Sequence, residues 1–288
     1  MNRSKVIRMW FVVVVFMLLP SSLLAQEDMQ SPSVRGQLAA MYNTVAGSYN
    51  FWLYAPREYV GEHQRIPVII FLHGASLCGT NLQRVRRYGL LEAIEKGRYY
   101  PAFVIAPQNP GGSWKPSKIA KILDWVEANY EVDETRVYVI GMSLGGYGTL
   151  DFAGTYPERV AAAMALCGGS TLKDYTNLGK IPLWIMHGTA DRAVPISESK
   201  KVVKDMVESG NDKLLRYDWL QGASHGALAR ILYLKQTYDW LFSHCLLDAP
   251  KSVDKEIPIT MPDLKTAYSD LSPKETKFDI VKQVHKVN

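Results

Sequence analysis

Little in this chain points to metal, redox or nucleic-acid chemistry. Cysteine is scarce, with only Cys78, Cys167 and Cys245, and their spacing does not gather ligands for a tetrahedral metal site. No metal or other cofactor is therefore expected. Neither sign of charge dominates: 33 Lys and Arg face 28 Asp and Glu, a formal net charge of +5. No arginine-rich stripe is present, so a nucleic-acid partner is not expected either. Arg84, Arg86 and Arg87 read as the solvated face of a helix. Long hydrophobic runs are also missing. The run from Met9 to Leu19 falls short of the roughly 20 residues that span a bilayer.

That short run has its own meaning. Arg3, Lys5 and Arg8 precede it, and Pro20-Ser21-Ser22-Leu23-Leu24-Ala25 follows, the layout of a secretory signal peptide with cleavage expected after Ala25. Residues 1–25 hold three basic residues and no acidic ones, so their removal takes the net charge from +5 to about +2. The expected location is secreted or periplasmic, with no stable membrane insertion after cleavage. An exported chain with three cysteines keeps at least one free thiol. Cys167 ends an apolar run and reads as a small buried hydrophobe, while a Cys78–Cys245 disulfide stays open until geometry decides.

Apolar segments alternate with amphipathic ones through most of the remaining chain. Strands are expected over 51–55, 68–72, 103–106, 137–140, 161–166, 183–187 and 214–220. Helices are expected over 82–96, 118–129, 144–156, 197–209 and 228–244. Such alternation predicts an α/β fold, a mostly parallel sheet with helices on both faces. Right-handed crossovers then bring the loops after the strands to one edge, where function gathers. One catalytic domain over residues 26–247 is expected. Residues 248–288 carry seven basic and seven acidic residues and four prolines and read as a loosely packed or partly disordered tail, with a short terminal helix over 278–284.

Gly141-Met142-Ser143-Leu144-Gly145 follows the apolar run Val137–Ile140 and precedes a helical stretch that Pro157 stops. It has the form of a G-x-S-x-G nucleophile elbow, in which a serine sits on a strained strand-to-helix turn. A serine hydroxyl is a weak nucleophile until a base takes its proton, and that base needs a carboxylate to fix its tautomer. In the order that accompanies this elbow, acid and then histidine follow the serine. Asp191 lies just beyond the strand ending at His187, and His225 lies in the Gly222–Gly226 loop. Both fall at the Ser143 edge. His187 reads as a packed strand-end ring, Asp218 as lying inside the last strand, and Asp174 as coming too early. His73-Gly74-Ala75 ends another strand, so the backbone amides of Ala75 and Leu144 are the expected oxyanion donors. Trp114, after Gly111-Gly112, is a candidate stacking platform for a sugar or aryl group, whereas Tyr147 is expected in the core.

Taken together, Leu72-His73-Gly74, Gly141-Met142-Ser143-Leu144-Gly145-Gly146, His187-Gly188-Thr189-Ala190-Asp191 and Ser224-His225-Gly226 resemble an α/β-hydrolase-fold serine esterase. The similarity is to the secreted branch of feruloyl and acetylxylan esterases, polyhydroxybutyrate depolymerase-like proteins and predicted esterase-like peptidases, and covers about residues 45–245. Relatives often carry a Gly-Glu-Arg-Gly-like run after His-Gly; here Ala75-Ser76-Leu77-Cys78-Gly79 stands instead, which bears on substrate subsites. The resemblance implies an acyl-enzyme mechanism on carboxylic esters, such as acyl or feruloyl groups on plant polysaccharide. The stretch from Cys167 to Lys180 is too short for a large lid. Two other readings stay open: a prolyl-oligopeptidase-like serine peptidase, for which no propeller domain is encoded, and a catalytically silent glycan-binding protein on the same scaffold. A dienelactone-type hydrolase would carry cysteine where Ser143 stands.

Overall fold

The structure is a computed structural model that describes residues 35–286 except 63, 257, 270 and 272–277. The expected signal peptide lies outside the described residues. Nine strands lie among the described residues: β1 (Gly36–Met41), β2 (Phe51–Ala55), β3 (Ile66–Leu72), β4 (Phe103–Pro107), β5 (Val132–Met142), β6 (Ala162–Leu166), β7 (Leu183–Gly188), β8 (Leu215–Leu220) and β9 (Phe278–Val281). They form one sheet in the order β8-β7-β6-β5-β3-β4-β2-β1-β9. From β4 through β8 every pairing is parallel. β2 is antiparallel to both β4 and β1.

The central strands read as unbroken apolar runs because both faces of the sheet are covered. Their two-residue period divides them between two cores. Val68, Ile70, Leu72, Val137 and Val139 pack on one face, and Ile69, Phe71, Tyr138 and Ile140 on the other. Each of these side chains is essentially fully buried, worth about 1.5–3 kcal/mol apiece in removal from water.

Eight helices are described: α1 (Arg57–Glu62), α2 (Leu90–Glu95), α3 (Pro116–Asn129), α4 (Leu144–Thr155), α5 (Ser197–Glu208), α6 (His225–Leu228), α7 (Lys235–Phe242) and α8 (Met261–Lys265). Among the described residues no helix is long and apolar enough to cross a membrane. Two helices expected as single units are broken. The 82–96 stretch is a 3-10 run, Leu82–Arg87, followed by α2; Gly89, at φ +88°, turns the chain between them. Its arginines are not a bare solvated face. Arg86 pairs with Glu95 at 2.6 Å and lies over the Trp52 ring, and Arg84 donates to Ser76 O at 2.7 Å. The 228–244 stretch divides into α6, a 3-10 turn over Ala229–Tyr233, and α7.

Beyond α7, Ile259, Leu264 and Ala267 bury their side chains in the second core, and Thr260 and Asp263 close a capping box on α8. The helix expected over 278–284 opens instead as β9, parallel to β1, with Asp279 paired to Arg35 at 3.0 Å. A partner strand 240 residues away supplies what local periodicity cannot show. All three cysteines are free thiols, so the Cys78–Cys245 pairing is not formed.

Candidate active site

Five neighbouring parallel strands, β3, β5, β6, β7 and β8, end at one edge of the sheet. That edge carries the loops holding His73-Gly74, Ser143, Cys167, Asp191 and His225.

Ser143 sits at φ +59°, ψ −121°, as the residue capping α4. Its N–H donates to Leu166 O at 2.8 Å, tying the turn to β6. The glycines around it are required by space. A Cβ on Gly145 would lie 1.8 Å from Leu72 O, one on Gly141 2.3 Å from Gly145 O, and one on Gly146 2.5 Å from Leu166 O. Strain of this kind costs about 1–3 kcal/mol and persists only where the surroundings over-determine it. Among the described residues Ser143 Oγ makes no hydrogen bond, in keeping with catalytic contacts that tighten only when substrate binds.

Asp191 is held differently. Its carboxylate is fully buried. Oδ1 accepts from the Ala193 and Val194 N–H groups at 2.8 and 3.0 Å, and Oδ2 lies 2.7 Å from His225 Nδ1 and 3.3 Å from His187 Nε2. Burial opposes ionisation, but the Val194 N–H, His225 and the Ala193 N–H outweigh it and hold the carboxyl below its ordinary value. His225 begins α6, where the Ser224 hydroxyl caps the helix. Its side chain is about a quarter exposed and faces the cavity that also holds Ser143.

The competing acids and base are committed to other partners. Asp218 Oδ2 is taken by Trp184 Nε1 at 2.6 Å and Arg216 at 3.0 Å, and Asp174 is spent on Thr176. His187 is buried, 2.7 Å from Ser199 Oγ and 3.0 Å from Val194 O; burial lowers its pKa. His73 is likewise buried, with Nε2 accepting from Asn109 N–H at 3.0 Å and its pKa pushed down to about 4 by burial.

Ala75 opens the 3-10 turn Ala75–Leu77 directly after Gly74, and Leu144 is the first residue of α4, where an N–H has no intrahelical acceptor. Neither N–H donates to another protein group among the described residues. A cavity of about 440 Å³ separates these elements, lined by Gly74, Ser76, Tyr88, Met142, Val194 and His225 among others. A second, more open groove of about 520 Å³ flanks the other side of His225, between Arg192 and Gly226. Between β6 and β7 only a 3-10 turn, Thr176–Lys180, intervenes, so no helical lid stands over the site there.

Two aromatic expectations are corrected. Trp114 is only 2% exposed and offers no open platform. Its Nε1 donates to His73 O at 3.2 Å and its ring packs edge-on against His73 and Tyr49, so it props the loop that presents Ala75. Tyr147 is half-buried and donates to Glu198 Oε2 at 2.9 Å instead of filling the core. Two residues of the site carried no sequence signal. Tyr88 reaches the cavity from outside every motif. Cys167, at φ +40°, brings its thiol within 4.8 Å of ligand atoms of Asp191 and His225. These three could in principle hold a metal, but burial pushes the Cys167 thiol strongly up, which opposes the thiolate that ligation needs.

A family model described as "Putative esterase" matches residues 43–237. Acetylxylan esterase A of Emericella nidulans is 24% identical over 227 residues, covering 73% of this chain and 72% of that protein. Poly(3-hydroxyalkanoate) depolymerase C of Paucimonas lemoignei is 25% identical over 146 residues, 44% of this chain. This chain spans only 33% of the depolymerase's length. Among solved structures, a thermostable esterase aligns with TM-score 0.56 and 26% identity over 68% of this chain and 59% of its own. The feruloyl esterase module of Clostridium thermocellum aligns with TM-score 0.51 and 16% identity over 69% and 86%, a likeness of fold.

Proposed function

The chain belongs to the esterase family whose model covers residues 43–237, and from that premise we propose that it is a serine carboxylesterase working through an acyl-enzyme. Ser143 attacks the ester carbonyl, His225 takes its proton and returns it to the leaving alcohol, and Asp191 holds the Nδ1–H tautomer and stabilises the imidazolium. The amides of Ala75 and Leu144 receive the oxyanion. Water then repeats the sequence against the acyl-enzyme. The observation that carries the reading is the 2.7 Å contact between a buried, ionised Asp191 and the Nδ1 of a histidine that shares its cavity with Ser143.

The substrate class we propose is an acyl or feruloyl ester on plant polysaccharide. An active-site edge without a helical lid suits an ester hanging from a polymer, and the acetylxylan esterase likeness favours an acetyl group among such acyls. Export through residues 1–25, to the periplasm or the medium, belongs to the same reading. Hydrolysis of 4-nitrophenyl acetate by the purified protein, beside Ser143→Ala, tests it. We expect turnover that falls by about 10⁶-fold in the variant, as when a triad nucleophile is removed. Acetylated xylan and feruloylated oligosaccharides then divide the substrate class. A folded wild type inactive on every ester but active on peptide amides would replace the esterase with a peptidase.

A further inference from the structure

We propose that the Tyr88 hydroxyl is a catalytic donor to the oxyanion, a third beside the backbone amides of Ala75 and Leu144; the inference rests on the esterase reading above.

The position of Tyr88 is built from the core outward. Its neighbour Gly89 adopts φ +88°, and a Cβ there would fall 2.1 Å from the Phe71 ring, so only glycine lets the chain press against β3 at this point. The Gly89 N–H is tied to Tyr233 Oη at 3.0 Å. The Tyr88 ring packs edge-on against Phe71, centroids 6.4 Å apart. A core strand and a glycine turn thus aim the ring at the cavity that holds Ser143 and His225.

Its oxygen ends beside the expected oxyanion donors. The Gly74 N–H, one peptide before that of Ala75, donates to Tyr88 Oη at 2.7 Å. A methyl group added to Gly74 would sit 2.8 Å from that oxygen and 3.3 Å from Ser143 Cβ, so the phenol and the serine side chain border the same small space. Among the described residues no carbonyl or carboxylate accepts the phenol hydrogen. With one lone pair taken by the Gly74 N–H, the hydroxyl keeps its hydrogen for the cavity that it lines with Ser143 and His225, where a tetrahedral oxygen would form. Burial raises its pKa against the opposing pull of the Gly74 N–H, so it stays a neutral O–H. A pre-aimed donor in a partly water-excluded site is the arrangement that stabilises developing charge without reorganisation.

The test is Tyr88→Phe, which keeps the ring and removes the hydroxyl. Three quantities are measured: kcat and KM on 4-nitrophenyl acetate, affinity for phenylboronic acid as a tetrahedral adduct of Ser143, and Tm. We expect kcat to fall about 10²-fold, as for loss of one oxyanion donor, with KM within about threefold because the contact forms in the transition state. Boronate affinity should fall with kcat, and Tm should hold. A kcat within twofold of wild type overturns the inference. So does a loss shared between kcat and KM with a fall in Tm, which would mark a tyrosine that only props Gly74. A wild type that hydrolyses no ester overturns the esterase reading and this inference with it, whereas an active wild type with an unaffected variant overturns this inference alone.

Discussion

At the end of β5, Ser143 is held by backbone geometry; at the end of β7, Asp191 is held by hydrogen bonds. Among the described residues the serine side chain makes no hydrogen bond, yet three glycines around it have no room for a Cβ. The aspartate is fixed through its side chain, whose two oxygens meet four protein groups. The difference follows from the tasks. A nucleophile must leave its oxygen free to react, so only main-chain constraint can fix it. An orienting acid never leaves its partner, so polar contacts can.

The sharpest way to break the comparison is a methyl group on each side. Gly145→Ala sets a Cβ 1.8 Å from the backbone oxygen of Leu72, whereas Gly226→Ala, next to His225, meets nothing within 4 Å. The first should yield no soluble folded protein, since overpacking against backbone lies in the tail of destabilisations above about 4 kcal/mol. The second should leave Tm within a few degrees. Circular dichroism melts of the two variants decide it. A folded Gly145→Ala would mean that the elbow can relax and that Ser143 is not held by space.

Asp191→Asn is the matching test of the polar side. Because the Ala193 and Val194 N–H groups claim Oδ1, the new amide must keep its oxygen there and turn its NH2 toward His225. His225 Nδ1 then faces a donor, and the ring takes the wrong tautomer for a base. We expect kcat on 4-nitrophenyl acetate to fall about 10⁴-fold, as triad logic requires, with the fold intact. A loss below tenfold would remove Asp191 from the mechanism, and Asp218, locked to Trp184 and Arg216, could not replace it without rebuilding β8.

The same contrast explains what was legible in the sequence. A steric requirement leaves a local trace, so Gly141, Ser143 and Gly145 announce themselves within five residues. All seven expected strands form: the central ones are apolar throughout because both their faces are buried, and β8, at the sheet edge, keeps polar Arg216 and Asp218 within its run. Asp191 and His225 were readable through chain order and their places after strands. What stayed hidden depends on partners far along the chain. β1 and β9 pair across some 240 residues. Trp114 follows a glycine turn that suggests exposure, but the ring folds back onto His73. Tyr88 owes its place to the fit of Gly89 on Phe71, and no spacing records such a fit.

Acid finally probes both sides together, with a smaller effect than either substitution. Burial lowers the pKa of His73, His187 and His244, and the hydrogen bonds to Asp191 lower its own. Between the folded and unfolded values of each group the unfolded chain binds more protons, so stability rises with pH across that window. For the histidines the contribution is complete above the ordinary value of about 6.5 and is lost as pH falls through the folded values. His73, on the nucleophile side, extends that loss to about pH 4, and Asp191 adds its share only below the usual carboxylate range. Tm should therefore stay flat from about pH 9 to 7 and decline steadily from about 6.5 toward 4, the window set by these histidines. His73→Gln should flatten the lower part of that decline. A Tm that rose on acidification would mean that buried rings are charged in the native state, His187 paired with Asp191 rather than neutral beside it.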